Sequence, residues 1–163
     1  GDEKLVHPGR PPMVWQDLPV VGITGEDAKA YATWLDATGR VPGARLCTDD
    51  EWERAARGSD GRAYPGGERI APEHANHELT WGKDPKLMGP EPGGSRPNSR
   101  SPYGALDMAG NVWEWVQGPK AVVARGGSYN FGPNSSRIAG RELIQPGFRD
   151  TSVGFRLCAD SPE

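Results

Sequence analysis

The sequence predicts an α+β domain, on three observations. Two helices with complete start and stop signals fall early in the chain, short apolar runs of strand type fall late, and a long stretch without periodicity separates them. Residues 1–12 are polar and proline-rich and read as an arm, so that 1–17 form a linker ahead of a domain over 18–163. Val20, Val21 and Ile23 suggest a short strand ending at Thr24. Thr24 and Asp27 then open a first helix with the Thr-x-x-acid capping pattern. Ala28, Tyr31, Ala32 and Leu35 share its apolar face, and Gly39 lies beyond its end. Thr48 and Glu51 repeat the device for a second helix, with acids in the first turn, Trp52, Ala55 and Ala56 inward, and Gly58 as the stop. Asp60-Gly61 and Pro65-Gly66-Gly67 mark turns, and no period is sustained from Gly67 to Pro102. So long a loop in a compact domain usually has a function or a bound ion holding it. Short strands follow near 112–116, 122–125 and 153–158.

Composition bounds the function. A chain of 163 residues is expected to form one domain with a substantial core. Hydrophobic residues make up 35%, while 23 glycines and 16 prolines assign much of the chain to turns and ordered loops. Six tryptophans supply large areas to bury and argue against disorder. A net charge of -3 gives no electrostatic case for nucleic acid, and no apolar run reaches membrane-spanning length. The chain opens on no secretory signal pattern, which leaves a processed precursor or a trimmed chain open. Cys47 and Cys158 read either as two half-buried thiols or as a long-range disulfide, and the disulfide is the expectation. If it forms, an oxidising compartment is favoured; the source compartment is otherwise unspecified.

The densest chemistry lies in Gly104 to Trp115, where a Gly110-Asn111 turn runs into Trp113-Glu114-Trp115. On an extended chain the two tryptophans share a face and Glu114 points the other way. A carboxylate beside a turn full of carbonyls suits a hard cation such as Ca²⁺. It equally suits a core strand whose Glu114 pairs with an arginine, which spacing alone favours.

In order the chain carries Leu18-Pro19-Val20-Val21-Gly22-Ile23-Thr24, the run Asp27 to Leu35, and Arg45-Leu46-Cys47-Thr48-Asp49-Asp50-Glu51-Trp52-Glu53-Arg54-Ala55-Ala56-Arg57-Gly58. The Gly-Asn-Val-Trp-Glu-Trp turn, Arg125-Gly126-Gly127-Ser128-Tyr129 and Gly154-Phe155-Arg156-Leu157 complete the series. From about Leu18 to Cys158 this resembles the formylglycine-generating enzyme (sulfatase-modifying factor) family. The resemblance implies a fold like that of C-type lectins: two helices, short antiparallel strands, much irregular loop and bound calcium. The family's domain normally begins with further strands ahead of the Leu-Pro-Val-Val block. Only 17 residues precede it here, which implies a shortened member or the C-terminal part of a longer protein.

The family's enzymes oxidise a substrate cysteine to formylglycine, using a cysteine pair shortly after Gly-Gly-Ser-Tyr or Gly-Gly-Ser-Trp. Phe131 and Ser136 occupy those places. Neither a phenyl ring nor a serine hydroxyl can do thiolate chemistry, so no copper and no formylglycine-generating activity are expected. By the same resemblance, the carbonyls of Ala109, Gly110, Asn111 and Val112 with the carboxylate of Glu114 form one calcium site. Asn76, the His77 carbonyl and Asp84 match a second more loosely, with Lys83 adjoining. His74 and His77 make a poor zinc signal, Ser128 sits in no nucleophile elbow, and the helical domain with the three-histidine iron site of the family's sulfoxide synthases is lacking.

Lectin-like relatives bind through the segment between Gly-Gly-Ser and Gly-Phe-Arg, here 129–153. Tyr129, Asn130, Phe131, Asn134, Arg137 and Arg141 are the candidates, with structural ion pairing as the competing role for the two arginines. Arg125 and Arg156, inside strand patterns, read as buried partners of carboxylates such as Glu53. The function expected is a non-catalytic ligand-binding or regulatory domain, stabilised by calcium and belonging to a larger protein or complex. Its ligand is an unidentified protein or small molecule. The rivals are a copper-dependent formylglycine-generating oxidoreductase, or a fragment of one, and a purely structural module.

Overall fold

The computed structural model describes residues 4–145 and 147–160; the expected domain end at 163 lies outside them. The elements run β1 (Lys4–Leu5), β2 (Met13–Val14), α1 (Gly25–Ala37), β3 (Ala44–Leu46), α2 (Asp49–Arg57), β4 (Trp113–Gln117), β5 (Val122–Arg125), β6 (Val153–Phe155) and β7 (Leu157–Ala159). Both helices start on complete capping boxes. Thr24 Oγ1 accepts from the Asp27 N–H and the Asp27 carboxylate accepts from the Thr24 N–H; Thr48 and Glu51 reciprocate in the same way. Each such cap is worth about 1 kcal/mol. On α1, Ala28, Ala32 and Leu35 are buried while Tyr31 stays outside, and on α2 Trp52 and Ala56 are fully buried.

Three small sheets follow: β1–β2, β3–β7 and the order β5-β4-β6. Strand β4 is buried on both faces, and its alternation divides two cores rather than core from water. Trp113 and Trp115 pack with Ala28, Leu46, Val122, Ala124 and Val153. Val116 packs on the other side with Trp52, Met108, Val123 and Ile138. Cys47 and Cys158 are bridged with their Cα atoms 4.8 Å apart, which fastens the start of α2 to β7.

Beyond Tyr31 and the unforeseen strand β3, the structure departs from the sequence reading in four places. Residues 20–23 form no strand: Gly22 turns the chain with φ +74, and its N–H bonds to the carbonyls of Asp150 and Val153. The run 153–158 is two strands in different sheets, separated at Arg156, whose side chain turns inward to Glu114. The arm contributes the β1–β2 pair, and Arg10 between those strands donates to the Pro90 carbonyl and lies over Trp81. Finally, β4 and β6 pair in parallel rather than antiparallel, Trp113 opposite Val153. Parallel pairing needs a long connection, and here it runs through β5 and then a crossover over residues 126–152. That crossover carries the region expected to bind.

Candidate binding groove and cation turn

The crossover leaves β5 through Gly126 and Gly127, both at positive φ. At Gly127 a Cβ would also stand 2.6 Å from Ser136 Oγ, so only glycine lets the returning turn close on the strand end. Ser128 Oγ donates to Asn130 Oδ1 at 2.7 Å, which commits that hydroxyl to shaping the turn. Phe131 sets its ring edge-on to Trp113, centroids 5.8 Å apart. Ser136 closes the short 3₁₀ turn Pro133–Ser136 and is fully buried, its hydroxyl meeting no partner among the described residues. The two positions where the sequence resemblance places thiols thus hold an aromatic ring against Trp113 and an enclosed hydroxyl.

Between the crossover and the β4–β6 pair lies a groove of about 340 Å³. Trp113, Val153, Phe131, Ile144 and Phe148 give it apolar surface, and Glu142 and Asp150 give it carboxylates. Leu143 on its rim is 85% exposed, Phe131 45% and Phe148 42%. Of the six expected ligand residues, only Asn130 and Phe131 line this groove. Tyr129 is buried: its N–H bonds to the Asn111 carbonyl and its hydroxyl meets Thr151 Oγ1 at 3.1 Å. Asn134 sits exposed in the 3₁₀ turn, and the Arg137 guanidinium lies over Tyr64. Arg141 takes the structural role, bonding Asp49 at 2.6 Å and Glu53 at 2.8 Å. Glu142, Ile144, Phe148 and Asp150 lie in the expected 129–153 segment but are not among its named candidates, and Trp113 reads from sequence as a motif residue, because a period-2 pattern on β4 does not show which crossover residues return over it.

Arg125 is fully buried and reaches the same acids, Nη2 to Glu53 Oε2 at 2.7 Å and Nε to Asp49 Oδ1 at 3.1 Å, with its guanidinium over Trp52. Burial alone would raise the Glu53 carboxyl; the hydrogen bond and charge of Arg125, with Arg141 and Arg57, outweigh it and hold the group below its usual range. The sequence expectation for Arg125 and Glu53 therefore holds, and Arg156 has its own acid in Glu114.

The Gly110–Glu114 turn is built around close backbone approach. Gly110 and Asn111 both have positive φ, and a Cβ on Gly110 would collide with the Asn76 carbonyl. Glu114 Oε2 accepts from Trp52 Nε1 at 2.6 Å and from Arg156 Nε at 3.0 Å, while Oε1 accepts from Arg156 Nη2 at 2.8 Å. The pairing with arginine is thus present. Beside it, a cavity of about 350 Å³ is lined by Asp107, Asn111, Val112, Glu114 and Arg156 among others. Asp107 was missed from sequence although it lies in the motif. It is a non-glycine residue at φ +59, and burial raises its carboxyl, with Glu114 and Glu91 adding to the shift and the Gly94 N–H and Arg156 opposing it. Asp17, Asp107 and Glu114 all line this cavity against the single guanidinium of Arg156, and hard oxygen donors of that kind fit a calcium ion.

The looser site is less well assembled. The Asn76 side-chain amide donates to the Gly89 carbonyl and to Asn111 Oδ1, and the Asn76 backbone carbonyl accepts from the Asn111 N–H. The His77 carbonyl accepts from the Thr80 N–H, and Asp84 Oδ1 accepts from the Lys86 N–H within its own turn. No hydrogen bond joins Asp84 to Asn76 or His77 among the described residues. Nor does any cluster of three or more His, Cys, Asp or Glu side chains among them have metal-holding geometry.

Residues 7–161 match the sulfatase-modifying factor enzyme 1-like domain. The chain is 37% identical over 163 residues to the inactive C-alpha-formylglycine-generating enzyme 2 of Mus musculus, covering 89% of this chain and 50% of that protein. It is 35% identical over 175 residues to the formylglycine-generating enzyme of Thermomonospora curvata, covering 87% of this chain and 55% of that one. The chain therefore spans about half the length of the curated relatives it matches. Treponema denticola variable protein 1 superposes with a TM-score of 0.76 at 22% identity, over 93% of this chain and 75% of that chain, and shares the fold. With nearly the whole of this chain matched and the motif turns in place, the chain belongs to the formylglycine-generating enzyme family.

Proposed function

We propose that this chain is a non-catalytic, lectin-like ligand-binding member of its family, acting through the 129–153 crossover and stabilised by calcium. The observation that carries the reading is the pair Phe131 and Ser136. One is an aromatic ring packed on Trp113 and the other a buried hydroxyl, where catalysis in the family calls for two thiolates. The likeness to an enzyme named as inactive supports the same reading. Cys47 and Cys158 are consumed in their own bridge and offer no replacement. Mass spectrometry of a cysteine-bearing sulfatase-type peptide, incubated with copper-loaded protein under oxygen, tests it. An unchanged cysteine is expected; conversion to formylglycine above a no-protein control would establish the rival oxidoreductase reading.

Calcium enters as a structural ligand of this chain. A bound ion would supply a fixed positive charge that relieves the crowding of Asp107 and Glu114 and ties their turn to the long loop. The turn's conformation is already fixed by Gly110, Asn111 and Asn76. Thermal melts with excess calcium and with chelator should differ by mass-action linkage, and Asp107→Asn should remove the difference. Coincident curves would remove calcium from the reading and leave the binding role standing.

A further inference from the structure

We propose that the groove between β4–β6 and the crossover receives a basic peptide, seating an arginine or lysine side chain flanked by apolar residues. The inference rests on the binding reading above and assigns its ligand chemistry. The floor is Trp113 beside Val153, and Phe131 and Phe148 rise from it with rings partly open to water. Such a surface accepts the alkyl stem of a long basic side chain, and its ring faces attract the cationic head.

Charge complementarity selects a cation over a neutral guest. Glu142 and Asp150 both line the groove, and no basic residue does among the described residues. Glu142 uses its backbone to bond Ala124 in both directions and has no ion pair among the described residues, so its carboxylate is uncommitted. Asp150 gives one oxygen to the Ser152 N–H and hydroxyl and retains the other. The nearby arginines are all turned elsewhere. Arg125 and Arg141 go to Asp49 and Glu53, Arg137 to Tyr64, and Arg149 to Asp27 on α1 at 3.1 Å. The crossover is rich in arginine, yet its groove presents acid and hydrocarbon.

The probes are acetyl-Gly-Leu-Arg-Leu-Gly-amide, its glutamate and norleucine counterparts in place of arginine, and N-acetyl-arginine amide alone. They are titrated into ¹⁵N-labelled domain. The arginine peptide should shift the amide signals of Phe131, Ile144 and Phe148 and bind about three- to fivefold tighter than the norleucine peptide. That margin should shrink in high salt and vanish in Glu142→Gln, whose spectrum should otherwise match the parent. Equal or tighter binding of the glutamate peptide, an unaltered margin in Glu142→Gln, or no shift at these residues would overturn the proposal. N-acetyl-arginine amide binding as tightly as the peptide would also overturn it, in favour of a small-cation site. None of these results bears on formylglycine formation, so the assay for catalysis fails or succeeds independently.

Discussion

The inner side of β4 and the crossover that passes over its other end handle polar and apolar groups in opposite ways. Around α2, β4 and β5 the protein buries charge and answers it: Arg125 meets Glu53 and Asp49, and Glu114 meets Arg156 and Trp52. On the crossover it does the reverse, leaving Leu143, Phe131 and Phe148 to water and Glu142 unpaired among the described residues. The interior elements are the more densely charged of the two, so charge content by itself does not set the difference. What sets it is commitment. In the interior nearly every charged group has a fixed counterpart, while the crossover face leaves apolar surface and a carboxylate open to water.

That contrast can be broken most forcefully from the interior. Removing the Cys47–Cys158 bridge by Cys47→Ala with Cys158→Ala should cost about 4–5 kcal/mol in the chain-entropy model, since the linked positions are 111 residues apart. Chemical denaturation of the variant measures it. A loss under about 1 kcal/mol would show that the unfolded chain is already restrained and that the bridge adds little. Arg125→Met should cost about 3 kcal/mol, because Asp49 and Glu53 would keep their burial with less compensation. Arg141 still reaches both acids in that variant. If the loss falls below about 1 kcal/mol, Arg141 alone suffices, and the interior charges resemble a surface pair more than a buried one.

How much of this was legible follows from the range of each interaction. The helices were readable because Thr24 with Asp27 and Thr48 with Glu51 act within one turn, and strand β5 because four apolar-to-basic residues stand together. Strand β3 was not: Ala44–Leu46 is short and pairs only with β7 at the far end of the chain. The same distance explains why 153–158 looked continuous, since the break at Arg156 is made by Glu114. In the site, Phe131 and Asn130 were found from their place after Gly-Gly-Ser, and Tyr129 looked like a ligand residue until its partners Asn111 and Thr151 were known. Arg141 presented two roles in sequence, and the acids that decide between them sit on α2. Asp107 was overlooked because its carboxylate meets Glu114's cavity only once the turn is folded.

A smaller effect sharpens the interior side. The hydrogen bonds of Arg45 hold the Glu51 carboxyl down to about 2, with Thr48 helping and burial opposing. Its ordinary value is 4.5, so the folded form favours the ionised group. The stability it brings is complete above the unfolded value and is lost as pH falls from about 4.5 through about 2. Glu53, also held low, adds a loss of the same sign. Because Arg45 and Glu51 are both more than a third exposed, screening limits the Glu51 share to about 1 kcal/mol at most. Melting temperature measured against pH should decline over that window, and Glu51→Gln should flatten the decline while lowering stability at neutral pH. A decline of the same steepness in Glu51→Gln would assign the acid sensitivity to other carboxylates.

The smallest stability effect is the one that most directly separates the two regions. Leu143 is 85% exposed, whereas Ile138, earlier in the same crossover, is fully buried against the second core. A leucine held in water by a fold contributes almost nothing to that fold, because its apolar area is exposed in both folded and unfolded states. Leu143→Ser should therefore leave the melting temperature unchanged within the shift of about 0.5 kcal/mol expected for a surface substitution. If the crossover face is a ligand surface, the same variant should weaken peptide binding at the groove whose rim it forms. A destabilisation well above that level would mean Leu143 already packs on something within the chain in solution. The crossover would then belong to the self-satisfied interior, and the contrast between the two regions would disappear.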